Sequence, residues 1–132
     1  MTIHQLIYMS EPFGFDDGIL NGILSISRRN NTRDGLTGAL VCRRDIYLQL
    51  LEGPMAAVEA TYARIAGDDR HLALKRLWSG EVGDRIFPDW AMRDDPARSW
   101  LWSEAEVSAG AVQTASPADV RGVFERVARE TA

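Results

Sequence analysis

The sequence predicts an α+β domain of the ferredoxin-like type, βαββαβ(β), with two helices on one sheet face and a C-terminal helical tail covering the other. Three observations predict it. Short apolar, β-compatible runs alternate with stripes of helical period in the order β-α-β-β-α-β. Pro- and Gly-containing stretches separate most of these segments. The chain has 132 residues, which suits one domain able to bury an apolar core without metals or disulfides.

Taken in order, residues 3–9 are apolar and read as the first strand, and residues 11–15, with Pro12 and Gly14, as a loop. Asp16 or Asp17 caps a helix running to about Asn30, with Ile19, Ile23 and Ile26 on one stripe and Leu20 and Leu24 beside it. Residues 35–42 and 46–52 read as two strands joined by a short hairpin at Arg43, Arg44 and Asp45. Pro54 suits the first position of a second helix, which carries Met55, Val58, Tyr62 and Ile65 on one stripe and stops at Gly67. Residues 72–82 form the next strand, and residues 90–92 a short one after the turn at Phe87-Pro88. In the tail, residues 99–107 read as a short helix. Ser116 caps another that begins at Pro117, with Val120, Phe124 and Val127 on its apolar stripe. That stripe and the cluster Trp100-Leu101-Trp102 either pack on the domain's own sheet, the expected case, or offer a contact surface.

Composition narrows the function. Charged residues make up 26% and the net charge is −4, which does not suit a chain that holds nucleic acid through its phosphates. Cys42 is the single cysteine, so a disulfide within the chain and a cysteine-zinc centre are excluded. His4, His71 and Cys42 are too far apart in sequence to suggest a metal site. There is neither an export signal nor a membrane-spanning run, so the expected compartment is the cytoplasm, with no membrane partner.

Several polar residues are not needed by a plain core. Tyr8 alternates with Leu6 on the first strand, and Gln49 interrupts the apolar strand 46–51. Asn30 and Asn31 extend the two stripes of the first helix. A buried amide left unpaired costs roughly 1–3 kcal/mol, so these groups are expected to share partners with one another or with a polar ligand. Read from the residues alone, the conclusion stops at a ferredoxin-like domain with a polar pocket.

Five segments resemble the BLUF (blue light using FAD) family, in order and at family spacing, from about Ile3 to Met92. They are Leu6-Ile7-Tyr8-Met9-Ser10; Ser27-Arg28-Arg29-Asn30-Asn31 with Gly35-Leu36-Thr37-Gly38-Ala39-Leu40; Gln49-Leu50-Leu51-Glu52-Gly53-Pro54; Asp68-Asp69-Arg70-His71; and Arg85-Ile86-Phe87-Pro88-Asp89-Trp90-Ala91-Met92. The resemblance implies a photosensory domain over residues 1–95 and a helical extension over 96–132. It implies non-covalent FAD, its ring between the two helices, with Asn31 on the ring's polar edge and Asn30 beside it. Arg64, Asp68, Arg70 and His71 would contact the polar side of the ring or the ribityl-phosphate tail. Tyr8 would give an electron and a proton to the light-excited ring, and Gln49, bridging Tyr8 and the ring, would end in a new hydrogen-bonding arrangement. Trp90 and Met92 would relay the change. No substrate is turned over, so the chain is read as a sensor and not an enzyme. Its output would pass to another protein or through a homo-oligomer, because the length leaves no room for an effector domain. The alternatives are a light-insensitive flavin-binding domain and a small ferredoxin-like enzyme or interaction module. An acylphosphatase-type hydrolase would need a phosphate cradle after the first strand, and none is there. An RNA-binding sheet would need exposed strand aromatics on a basic face.

Overall fold

The computed structural model describes residues 2–12, 17–67, 71–88, 93–96 and 101–130, without the side chains of 17–20, 71–72 and 93–96. The elements are β1 (Ile3–Pro12), α1 (Asp17–Asp34), β2 (Thr37–Arg43), β3 (Ile46–Gly53), α2 (Met55–Ala66), β4 (His71–Val82), β5 (Arg93–Pro96), α3 (Glu104–Ser108) and α4 (Pro117–Glu130). The strands form one sheet in the order β4-β1-β3-β2-β5. The first four run antiparallel to their neighbours, and β5 joins parallel to β2.

Strand alternation sends side chains to two separate cores. Leu6 and Tyr8 of β1, Leu40 and Cys42 of β2, and Tyr47 and Leu51 of β3 meet Ile23 and Leu24 of α1 and Val58 of α2. On the other face Ile7, Met9, Ala39, Val41, Leu48 and Leu50 meet Leu101 and Val107, then Val112 and Val120, Val123, Phe124 and Val127 of α4. Both faces of β1 and β3 are therefore covered, which is why β3 is buried at every position. The tail packs on its own sheet, as the stripe in α4 predicts. Among the described residues no helix is long and apolar enough to cross a membrane.

Element ends depart from expectation for local reasons. β1 continues through Glu11 and Pro12, which the turn-forming residues had suggested were loop, because they pair with Leu72 and His71 of β4. α1 runs past the two asparagines to Asp34, since nothing breaks it before Gly35. Gly35 takes the left-handed conformation (φ 73°), and Leu36 N–H donates to the Asn31 carbonyl at 2.9 Å, closing the helix in a Schellman motif. β2 consequently starts at Thr37 and not at Gly35. Pro54 is the N-cap of α2 and not its first helical residue, because its ψ of 135° is extended. Ser103 starts α3 with a capping box: its hydroxyl accepts from Glu106 N–H at 3.1 Å, and the Glu106 carboxylate accepts from Ser103 N–H at 2.9 Å. Ser116 caps α4 as expected, accepting from Asp119 N–H at 3.1 Å. The strand expected over residues 90–92, together with Trp100, lies outside the described residues.

Gly38 is a spatial requirement. A Cβ there would stand 1.9 Å from the Leu50 carbonyl oxygen on β3, so β2 approaches β3 more closely than any side chain allows.

Candidate functional site

Antiparallel pairing of β1 with β3 sets Tyr8 directly opposite Gln49. Both side chains project to the helix-covered face, where Tyr8 is fully buried and Gln49 nearly so. The Tyr8 hydroxyl donates to Gln49 Oε1. The Tyr8 ring stands edge-on to Tyr62 of α2, with centroids 5.6 Å apart and planes at 65°. Tyr62 is itself covered by the Arg76 guanidinium at 4.7 Å. Arg76 pairs along both nitrogens with the Glu59 carboxylate, at 2.7 and 3.0 Å, and His4 meets the same carboxylate at 3.2 Å. Hydrogen bonding to Arg76, and secondarily to His4, holds the Glu59 carboxyl below its usual range. β4 is bulged beside Tyr8: Ile7 faces Trp78 and Tyr8 faces Arg76, leaving Leu77 as the extra residue. Such bulges re-aim side chains, and this one stands where Arg76 turns over Tyr62.

A cleft opens between α1 and α2 immediately in front of Gln49. It encloses about 560 Å³, its open mouth included. Gln49 and Leu51 of β3 line it, with Ile23, Ile26 and Ile65 as apolar wall. Ser27, Asn30, Asn31, Thr61 and Arg64 supply polar groups from the two helices. Asn31 is buried and Asn30 half-buried, so the second asparagine faces inward and the first lies on the rim. Arg64 is tied down at the cleft: it donates to Thr61 Oγ1 at 3.0 Å and to Asp34 Oδ2 at 3.5 Å, bridging α2 to the end of α1. The Asp34 carboxyl is held below its usual range, mainly by Arg33 and further by Arg64.

The donor set suits one class of ligand. Aliphatic walls, three carboxamides (Asn30, Asn31 and Gln49) and a single guanidinium fit a flat apolar body with a polar edge and an anionic extension. Ile26, 40% exposed on the described surface, is apolar surface that such a body would cover. No group of three or more potential metal ligands occurs among the described residues.

Of the residues singled out in the sequence, Tyr8, Gln49, Asn30, Asn31 and Arg64 come together here. His71 is the first residue of β4, opposite Pro12, and its side chain is not described. Asp68, Arg70, Trp90 and Met92 lie outside the described residues. Sequence reasoning assigned no role to Thr61 and Asp34, nor to Ser27, although Ser27 opens one of the segments that resemble the family. It also assigned no role to Glu52, although a carboxylate in an apolar strand is as conspicuous as Gln49.

A cleft of this composition, backed by a phenol-amide pair, has the chemistry of a flavin-binding site. The family described as "Sensors of blue-light using FAD" matches residues 3–93, and the chain belongs to this BLUF family, whose members bind FAD. It is similar to the photoactivated adenylate cyclase subunit beta of Euglena gracilis, 31% identical over 95 residues, which are 69% of this chain and 11% of that protein. The chain thus spans about a tenth of the length of the curated relatives it matches. Among solved structures it resembles the dark state of BlrB, a BLUF protein, with 26% identity and a TM-score of 0.79 over 97% of this chain and 96% of that one. It also resembles a bacterial light-regulated adenylyl cyclase, with 27% identity and a TM-score of 0.72 over 94% of this chain and 39% of the other.

Proposed function

We propose that the chain is a blue-light photoreceptor in which Tyr8 and Gln49 store the light signal as an exchanged hydrogen bond, for delivery to a separate partner protein or within an oligomer. The observation that carries this reading is the order Tyr8, Gln49, cleft: the phenol lies behind the amide, and the amide lines the space where FAD would sit. Asn30, Asn31 and Arg64 would hold the cofactor, with Asp68, Arg70 and His71 assigned to it by family resemblance alone. Bound FAD supplies light absorption and, once excited, a one-electron oxidant.

The residues' own part follows from their bonding. With its electron taken up by the excited cofactor, the Tyr8 hydroxyl would become strongly acidic, and Gln49 Oε1 already accepts its hydrogen, so the proton would pass along that bond to the amide oxygen and through the amide to the reduced ring. When electron and proton return, the phenol is restored. Gln49 has meanwhile been free to exchange its two ends, because a carboxamide presents an acceptor oxygen on one side and a donor nitrogen on the other. With Nε2 toward Tyr8, the hydroxyl must accept where it formerly donated, and the amide oxygen turns to the cleft. Burial prevents water from erasing the difference, since both groups are shielded and their bonds are stronger than in water. Tyr62 keeps the Tyr8 ring in register with the amide throughout. Trp90 and Met92 are the assigned relay.

Purified protein is expected to be yellow and to shift its absorption reversibly to longer wavelength under blue light. Tyr8→Phe and Gln49→Leu should retain FAD and lose the shift. A normal photocycle in either variant would overturn the assignment.

A further inference from the structure

The pairing that sets Tyr8 opposite Gln49 also sets Gln5 opposite Glu52, three residues along each strand. Three residues reverse the pleat, so this second polar pair projects to the opposite face, beneath the tail. Glu52 is completely buried there and accepts three hydrogen bonds: from Gln5 Nε2 at 2.7 Å, from Ile86 N–H at 2.7 Å and from Phe87 N–H at 2.8 Å. Arg85, the preceding residue, donates to Thr37 Oγ1 at 2.9 Å, to the Glu52 carbonyl at 3.2 Å and to the Gly35 carbonyl at 2.9 Å. Residues 85–87 are therefore fastened both to β3, which carries Gln49, and to the glycine that closes α1 just after Asn31. They directly precede the segment that holds Trp90 and Met92.

A plain core does not require this carboxylate. A buried charge is tolerated only where its oxygens are met by donors, and here two of those donors are the backbone of a turn far away in sequence. Charge-assisted bonds of this kind are short and stiff, so displacing the acceptor displaces its donors. Gln5 Oε1 meets no donor among the described residues, and its Nε2 donates to Glu52. The arrangement of Gln5 thus follows that of the carboxylate.

We propose that Glu52 is a positioning residue that carries a change at Gln49 through β3 to the backbone of Ile86 and Phe87 on the opposite face of the sheet. This rests on the photoreceptor reading and extends it, since it names the link between the cleft and the turn before the relay segment.

The test is hydrogen exchange at individual amides, followed by NMR on the full FAD-loaded chain in darkness and under steady blue light, with absorbance recorded on the same samples. The Ile86 and Phe87 amides should be protected in the dark and should exchange about tenfold faster in the light, as expected when one hydrogen bond to a charged group is weakened. Glu52→Gln offers one acceptor oxygen in place of two and sets an NH2 against a donor. It should retain the absorbance shift, expose in the dark the amide that loses its acceptor oxygen and abolish the light-dark difference at that amide. An unchanged exchange rate in wild-type protein that does show the shift would overturn the role of Glu52 alone, even if the variant failed to fold. A light-dark difference that persists at that amide in the variant would overturn it as well. Absence of the absorbance shift from the wild type would overturn the photoreceptor reading and this proposal with it.

Discussion

Phe124→Ala probes how firmly the tail belongs to the sheet. The ring is fully buried in the core formed with Ile7, Met9, Leu48 and Leu50 on one side and with Val120 and Val127 of its own helix on the other. Truncating a buried Phe costs about 3–5 kcal/mol, from lost transfer energy together with the cavity left behind. Natural domains are stable by about 5–15 kcal/mol, so the variant should lose roughly a fifth or more of its margin. For a chain of this length that corresponds to a fall in Tm of roughly 10–18 °C. The assay is urea and thermal unfolding followed by far-UV circular dichroism, with flavin absorbance recorded in parallel. A single coincident transition at lower denaturant concentration is expected, because α4 and the sheet share one core and should unfold together. A loss below about 1 kcal/mol, or an early transition of α4 that leaves the flavin signal intact, would refute the shared core.

Three further outcomes are expected. Asn31→Ala removes a buried carboxamide from the cleft and should weaken FAD binding by about ten- to a hundredfold, measured by fluorescence titration; unchanged affinity would remove Asn31 from the site. Gly38→Ala drives a Cβ against the Leu50 carbonyl and should destabilise the protein by at least about 1–3 kcal/mol, read as a lower urea midpoint; near-wild-type stability would contradict the close approach of β2 to β3. The carboxyl of Glu59 lies below its usual range in the folded chain, so its contribution is present above the unfolded value near 4.5 and is lost as pH falls through the folded value. Acid unfolding curves of Glu59→Gln should therefore fall less steeply below about pH 4.5 than those of the wild type, and an identical slope would refute the contribution of the Arg76 pairing.

The residues that form the candidate site were conspicuous for a simple reason. Gln49 in an apolar strand, and Asn30 and Asn31 extending apolar helix stripes, are out of place in any fold that buries those faces. Ser27, Thr61 and Asp34 were not conspicuous, because small or charged polar residues are ordinary on a helix surface, and only the approach of α1 to α2 brings them to one cleft. Arg64 was assigned to the cofactor by family resemblance, and Thr61 and Asp34 are what hold it at the cleft. Glu52 entered only as part of a family-like segment and its purpose stayed hidden, since its partners at Ile86 and Phe87 are backbone amides that no side-chain pattern reveals.

By itself the chain determined its element order, its amphipathic faces and the polar residues that a core must account for, because these follow from period, turn chemistry and the cost of burying unpaired groups. Tertiary structure alone decided that an even-numbered tyrosine and an odd-numbered glutamine share a face, and that Gln5 and Glu52 share the opposite one. Strand register has a period of two and is set by which strands pair and in what direction, so a slip of one residue would have sent Tyr8 and Gln49 to different cores.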